Sequence, residues 1–300
     1  MSRTHSHSHS RSQKNLLFSI VLNIFITVSQ VIGGFLSGSL ALLSDALHNF
    51  TDVVSLIISY VAAKYSSKSA TSNMTFGYKR AEIIAAFINS ASLIIIAIIL
   101  IKESVIHFFD PKVINSDLVI WLSALAIVGN GISVLLLLKD RKTNMNLSSA
   151  YYHLLTDMLA SVAVLGGGLL MKFYGIYWVD SVLTFLIAVY LIYVGFKLFK
   201  NSFSVLMLFT PSDIEIQSIV SKINSLPLIK NMHHVHIWQL NEVELHLEAE
   251  IDFEEDISLS KFDEILETIE HILITDYGIN HITIQPEFNK SDNKNIIVQD

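Results

Sequence analysis

The chain has 300 residues, 52% of them hydrophobic and only 16% charged, with a mean hydropathy of +0.52 and a formal net charge of −7. A soluble protein this apolar would expose large aggregation-prone patches, and its charge content lies well below the roughly 25% of soluble domains, so an ordinary soluble fold is excluded. The lack of cysteine excludes a disulfide framework, a thiolate metal site and a Cys nucleophile. The charge is divided unevenly. Up to Lys200 there are 15 Lys/Arg against nine Asp/Glu; beyond it there are five against 18. An acidic tail of that kind cannot serve as a phosphate-binding surface, so nucleic acid is not expected as a partner.

Residues 1–14 hold His5, His7 and His9 alternating with serine. They read as a disordered N-terminal tail, either collecting metal or simply flexible. Their polar character does not match a secretory signal. Residues 15–208 then read as an all-α membrane domain. Six apolar segments, Asn15–Ser37, Ser39–Ala63, Ala81–Ile101, Asp117–Leu138, Ser149–Met171 and Tyr177–Phe199, are each long enough to cross the hydrocarbon. The first two and the last two are joined by very short links and must form antiparallel hairpins. Twelve Lys/Arg, among them Lys79, Arg80, Lys139, Arg141 and Lys142, fall on one face of the membrane; Lys102, Lys112 and Lys172 fall on the other. The positive-inside rule then predicts that both termini are cytoplasmic. The short loops suit a bacterial inner membrane.

From residue 209 to 288 the pattern changes to that of a small cytoplasmic domain. Pro211-Ser212-Asp213 opens a helix over Ile214–Leu226. Alternating stretches Val235–Leu240 and Val243–Ile251 predict a hairpin, Leu259–Ile274 an amphipathic helix, and Ile279–Gln285 a last strand stopped by Pro286. The order αββαβ fits an α+β fold with helices on one face of a sheet. Residues 289–300 are polar and expected to fray.

The residues that carry chemistry are ionisable groups inside apolar helices, where a carboxylate costs about 2.5–3.5 kcal/mol on insertion scales and therefore needs partners or a function. Asp45, His48 and Asp52 share one face of the second helix; His153 and Asp157 share one face of the fifth. With the helices antiparallel, His48 falls level with Asp157 and Asp52 level with His153. Two imidazoles and two carboxylates converging in this way suit a tetrahedral Zn²⁺, and the carboxylates offset its charge. The alternative is a set of interhelical hydrogen bonds without metal. Asp45, nearer the outer end, is a candidate access-path carboxylate or a cap of its own helix. No H-E-x-x-H motif is present, so an intramembrane zinc enzyme is not expected.

Ser44-Asp45-Ala46-Leu47-His48-Asn49-Phe50-Thr51-Asp52 and His153-Leu154-Leu155-Thr156-Asp157 resemble the transport-site motifs of the cation diffusion facilitator family, zinc-transporting branch. Phe76-Gly77-Tyr78-Lys79-Arg80-Ala81-Glu82 and His236-Ile237-Trp238 add to the likeness, which spans roughly residues 15 to 288. The resemblance implies a homodimeric metal/proton antiporter that exports divalent metal by alternating access, with a metallochaperone-like (ferredoxin-like) cytoplasmic domain for regulation and dimerisation. It implies Zn²⁺ as cargo and as a regulatory ion, with Cd²⁺ or Co²⁺ as other ions of the same donor preference. It also assigns His233, His246 and Glu287 to a cytoplasmic metal site. No His or acid lies between Lys64 and Tyr78, so the further site that some members carry in that loop is not expected here.

Overall fold

A computed structural model describes the backbone of residues 5–66, 70–138, 145–241 and 243–298. The side chains of residues 5–17, 52, 55, 56, 59, 60, 62–66 and 145–150 lie outside that description. Among the described residues there are eight helices and three strands. The helices are α1 (His5–Ser37), α2 (Leu40–Ser66), α3 (Ala81–Phe109), α4 (Ser116–Leu137), α5 (Met145–Tyr174), α6 (Trp178–Leu206), α7 (Ile216–Asn224) and α8 (Leu259–Tyr277). The strands are β1 (Ile229–Gln239), β2 (Leu245–Phe253) and β3 (His281–Glu287). The chain divides into two units, Met1–Tyr60 with Ile88–Leu198, and Val61–Phe87 with Phe199–Asp300.

The first unit is a helical bundle. Within α1 to α6, five stretches among the described residues are long and apolar enough to cross a membrane: Phe18–Ser37, Ala81–Phe109, Ser116–Leu137, Tyr151–Tyr174 and Trp178–Leu206. Large apolar side chains such as Phe35, Trp121, Leu135, Leu159 and Tyr193 point outward, as lipid contact requires. Glycine lets the backbones approach. A Cβ on Gly129 would stand 2.4 Å from Ile26 Cδ1, and one on Gly34 would stand 3.1 Å from the Leu43 backbone. This is the small-residue packing of membrane helices. A second seam joins Leu93, Ala97 and Leu100 of α3 to Ala188 and Leu191 of α6.

The α1–α2 turn shows why α2 starts where it does. Gly38 takes φ +74°, open to glycine at little cost. Ser39 caps the new helix, its Oγ accepting from Leu42 N at 3.1 Å. Asp180, in the first turn of α6, accepts from Ser39 Oγ at 2.5 Å, Leu40 N at 2.8 Å and Ala41 N at 3.3 Å. One buried carboxylate thus serves the positive ends of two helices. Residues 5–14, read from composition as a disordered tail, continue α1 as helix.

The second unit contains the sheet, ordered β1-β2-β3, with β1 antiparallel and β3 parallel to β2. Ile219, Ile223, Ile269 and Leu273 of α7 and α8 pack with Met232, Ile237, Leu247 and Ile251 in one apolar core. The other face of the sheet is polar. Two expectations shift here. β1 begins at Ile229, six residues earlier than the alternation suggests, because register shifts between Ile229 and Asn231 and between His233 and His236 break the period. β3 runs through Pro286 to Glu287, which an edge strand tolerates because it has one unpaired side. Residues 289–298, part of the segment expected to fray, lie along β1. Asn295 O and Ile296 O accept from His234 N at 3.1 Å and Val235 N at 2.8 Å, because the basic residues of this segment meet the acidic face of the sheet.

Candidate functional site

α2 and α5 bring three of the expected ligands together. His48 Nε2 lies 3.9 Å from Asp157 Oδ1, and His153 Nε2 lies 3.5 Å from Asp157 Oδ2. The two imidazoles meet edge to face with centroids 6.0 Å apart. Asp157 is 1% exposed, while His48 and His153 are half-buried. The ligand atoms of all three lie within 4.8 Å of one another. Tetrahedral Zn²⁺ with ligands near 2.1 Å separates its donor atoms by about 3.4 Å. Closing this cluster on such an ion would shorten its widest separation, up to 4.8 Å, by about 1.4 Å. Tyr190 of α6 packs against His48 with centroids 6.4 Å apart, limiting where that ring can swing. The fourth expected ligand, Asp52, is in α2 one turn beyond His48, and its side chain lies outside the described residues.

Asp45 is one turn before His48 and has hydrogen-bond partners of its own. Its Oδ2 accepts from Gln30 Nε2 at 2.7 Å and from Ser161 Oγ at 3.2 Å, while Asn49 Nδ2 donates to Gln30 Oε1 at 3.3 Å. This carboxylate is 1% exposed and ties α1, α2 and α5 together, so the structure places it in a closed polar network. Gln30 and Asp180 were not singled out from sequence, whereas Ser161, a polar residue inside an apolar helix, is the interhelical tie its position suggests. The available signal was an amide or acid on the buried side of an apolar helix.

In the second unit the polar sheet face carries another cluster. His233 from β1, Glu250 from β2 and Glu287 from β3 converge: His233 Nε2 is 3.3 Å from Glu250 Oε2 and 3.5 Å from Glu287 Oε2. Asp292 approaches the same nitrogen at 3.9 Å. His233 is fully buried. His246, assigned with His233 and Glu287 by resemblance, is not part of this group. The register sets it opposite Trp238, four β2 residues from Glu250 and so roughly 13 Å away. It stacks on Trp238 at 5.3 Å and touches His281 at 4.2 Å. Burial, then the neighbouring His281, lowers its pKa. Glu250, Asp252 and Asp292 escaped the sequence reading although Glu248, Glu250 and Asp252 alternate along one face of β2.

Two lysines enter this acidic group. Lys294 Nζ lies 3.2 Å from His233 Nε2, 3.1 Å from Asp252 Oδ1 and 3.0 Å from Glu287 Oε2, and it also pairs with Asp292. Lys290 pairs with Glu287 and stands 3.3 Å from Asp292. Burial alone would raise the pKa of Glu287, but hydrogen bonds from Lys290, Lys294 and Gln285 outweigh it and hold the carboxyl below its ordinary range. For Lys294 burial pulls downward, and Asp292, Asp252 and Glu287 more than reverse it.

Residues 16–207 match the cation efflux transmembrane domain, and residues 211–288 match the cytoplasmic domain of cation efflux proteins. The chain is 34% identical over 296 residues to the cadmium, cobalt and zinc/H(+)-K(+) antiporter of Bacillus subtilis, covering 98% of this chain and 95% of that protein. It is 30% identical over 298 residues to the zinc transporter ZitB of Escherichia coli, covering 96% and 93%. It is 31% identical over 288 residues to the metal cation efflux system protein CzcD of Cupriavidus metallidurans, covering 96% and 90%. A bundle of long apolar helices matched over its length by a transmembrane transport domain makes this a multi-pass membrane protein. Carrying both matched domains in order along nearly its whole length, the chain belongs to the cation diffusion facilitator family.

Proposed function

We propose that the protein exchanges a cytoplasmic divalent cation, Zn²⁺ foremost and Cd²⁺ or Co²⁺ by the same donor chemistry, for protons across the membrane. The observation that carries this reading is the convergence of His48, His153 and Asp157 from two helices inside an apolar bundle. Asp52 completes the ligand set from its position on the face of His48. Neutral imidazoles and carboxylates bind the cation from the inner side; on the outer side protons take the same lone pairs and the metal leaves. An ordinary imidazole titrates near pH 6.5, within reach of a physiological proton gradient. The bundle alternates access to this site, and export is the result. The names of the relatives support the cargo: one names cadmium, cobalt and zinc, one zinc, and the third metal cation efflux.

The same proposal assigns residues 15–208 to transport and residues 209–288 to a cytoplasmic regulatory domain, flanked by 1–14 and 289–300. Both termini are cytoplasmic, by the distribution of Lys and Arg, and the host is a bacterial inner membrane. The protein works as a homodimer, supported by the match to the family's cytoplasmic domain. His233 and Glu287, joined by Glu250, form a cytoplasmic regulatory cation site.

Zinc uptake into proteoliposomes with an imposed pH gradient tests the reading. Asp157→Ala and His153→Ala should each abolish the flux while the purified protein remains folded and monodisperse. Wild-type flux in either variant would refute the site.

A further inference from the structure

The polar cluster on the sheet holds two kinds of partner that exclude each other. One is the donor set: one side chain from each strand, His233, Glu250 and Glu287, with donor atoms 3.3 and 3.5 Å apart. Those separations match the edges of a tetrahedron around a zinc-sized ion. The other is the ammonium of Lys294, which lies 3.2 Å from His233 Nε2 and 3.0 Å from Glu287 Oε2. A lysine ammonium only donates, so His233 Nε2 faces it with its lone pair, the same lone pair a metal would take. Lys290 adds a second positive charge at Glu287, Glu250 and Asp292. Two ammonium groups carry the charge of one divalent cation, so exchanging one for the other leaves the electrostatics of the cluster nearly unchanged.

The lysines arrive on a segment with its own anchor. Residues 289–298 return along the outer edge of β1, where Asn295 O and Ile296 O accept from His234 N and Val235 N and Asn231 Nδ2 donates to Lys294 O at 3.4 Å. Lys294 is thus held through its own carbonyl by Asn231 and through the carbonyls of the next two residues by β1, while its side chain fills the donor set.

We infer that residues 289–298 form a lysine-tipped strap that competes with a divalent cation for His233, Glu250 and Glu287, so that metal arrival on the regulatory domain frees the C-terminal segment from the edge of β1. This rests on the reading of those three residues as a cation site. Strap closure raises the free-metal level at which the domain responds, and the released segment reports that the cytoplasm has passed it.

The test uses the full-length protein in nanodiscs, with zinc as the probe and amide hydrogen exchange as a local readout blind to the transport site. In the wild type, zinc should speed exchange at His234 and Val235 while slowing it around Glu250 and Glu287. Lys294→Met should lower the zinc midpoint at Glu250 and Glu287 about tenfold, the effect of removing a competitor that occupies the site about ten times more often than not. Truncation after Phe288 should lower it at least as far. His233→Ala should remove the zinc response of these strands. An unchanged or raised midpoint in Lys294→Met, with a normal zinc response in β2 and β3, would overturn the strap and leave the cation site standing. No zinc response in these strands, in either wild type or Lys294→Met, would overturn the cation site itself.

Discussion

Asp180→Ala should be among the most damaging single changes in the membrane unit that do not touch the metal ligands. The carboxylate accepts from Ser39 Oγ and from the Leu40 and Ala41 amides at the start of α2, and it lies in the first turn of α6. A hydrogen bond to a charged group contributes about 1.5–3 kcal/mol. A carboxylate at a helix N-terminus contributes about 0.3–1 kcal/mol for each end it serves. Relief of burying an ion offsets part of this, so a net loss of about 2–4 kcal/mol is expected. Asp180→Asn keeps one acceptor oxygen and should lose about half as much. Ser39→Ala combined with Asp180→Ala should cost less than the sum of the two, because they share one network. Reversible unfolding in mixed micelles, followed by tryptophan fluorescence, compares these four variants with the wild type. A change within about 0.5 kcal/mol for Asp180→Ala, or equal losses for Ala and Asn, would refute the shared-cap account.

Two other outcomes follow from packing and from protonation. Gly34→Ala should destabilise the bundle by about 1–3 kcal/mol, since the new Cβ meets the Leu43 backbone, which cannot swing aside; Gly166→Ala, with open space at its Cβ, should be neutral or stabilising. Thermal melts of the two variants in one detergent should therefore move in opposite directions or differ clearly in size. For His246 the folded pKa lies below the ordinary 6.5, so as pH falls below 6.5 the unfolded chain takes up the proton first and stability declines. His246→Gln should flatten the fall in melting temperature between pH 7 and 5.5 relative to wild type; parallel curves would contradict the burial of that ring.

The membrane architecture was legible because each span is a long apolar run, and length alone separates it from a soluble helix. The His48–Asp157 pairing was legible too, since antiparallel helices and a four-residue spacing leave little choice of level. What escaped was whatever depends on register or on long-range partners. Asp180 looks like an ordinary first-turn acid until the α1–α2 turn is folded against it. His246 and His233 look equivalent along the sequence, yet the β1–β2 register sets one on Trp238 and the other on Glu250. Lys294 is a polar residue in a polar tail, and nothing local announces that it reaches the sheet.

Across the shift between His233 and His236, two residues of β1 oppose the single residue Ala249, and His234 sits at φ +49°. In a regular strand, neighbouring amides look to opposite borders and neighbouring side chains to opposite faces. Here the amides of His234 and Val235 both look outward, and both His233 and His234 reach Glu250, at 3.3 and 3.4 Å. The irregularity therefore works as a two-pronged socket cut into the rim of the sheet. Deleting His234 would restore alternation from Met232 onward and keep Met232, Val235 and Ile237 facing the core. It would also remove one prong, and with it part of the seat on which residues 289–298 rest.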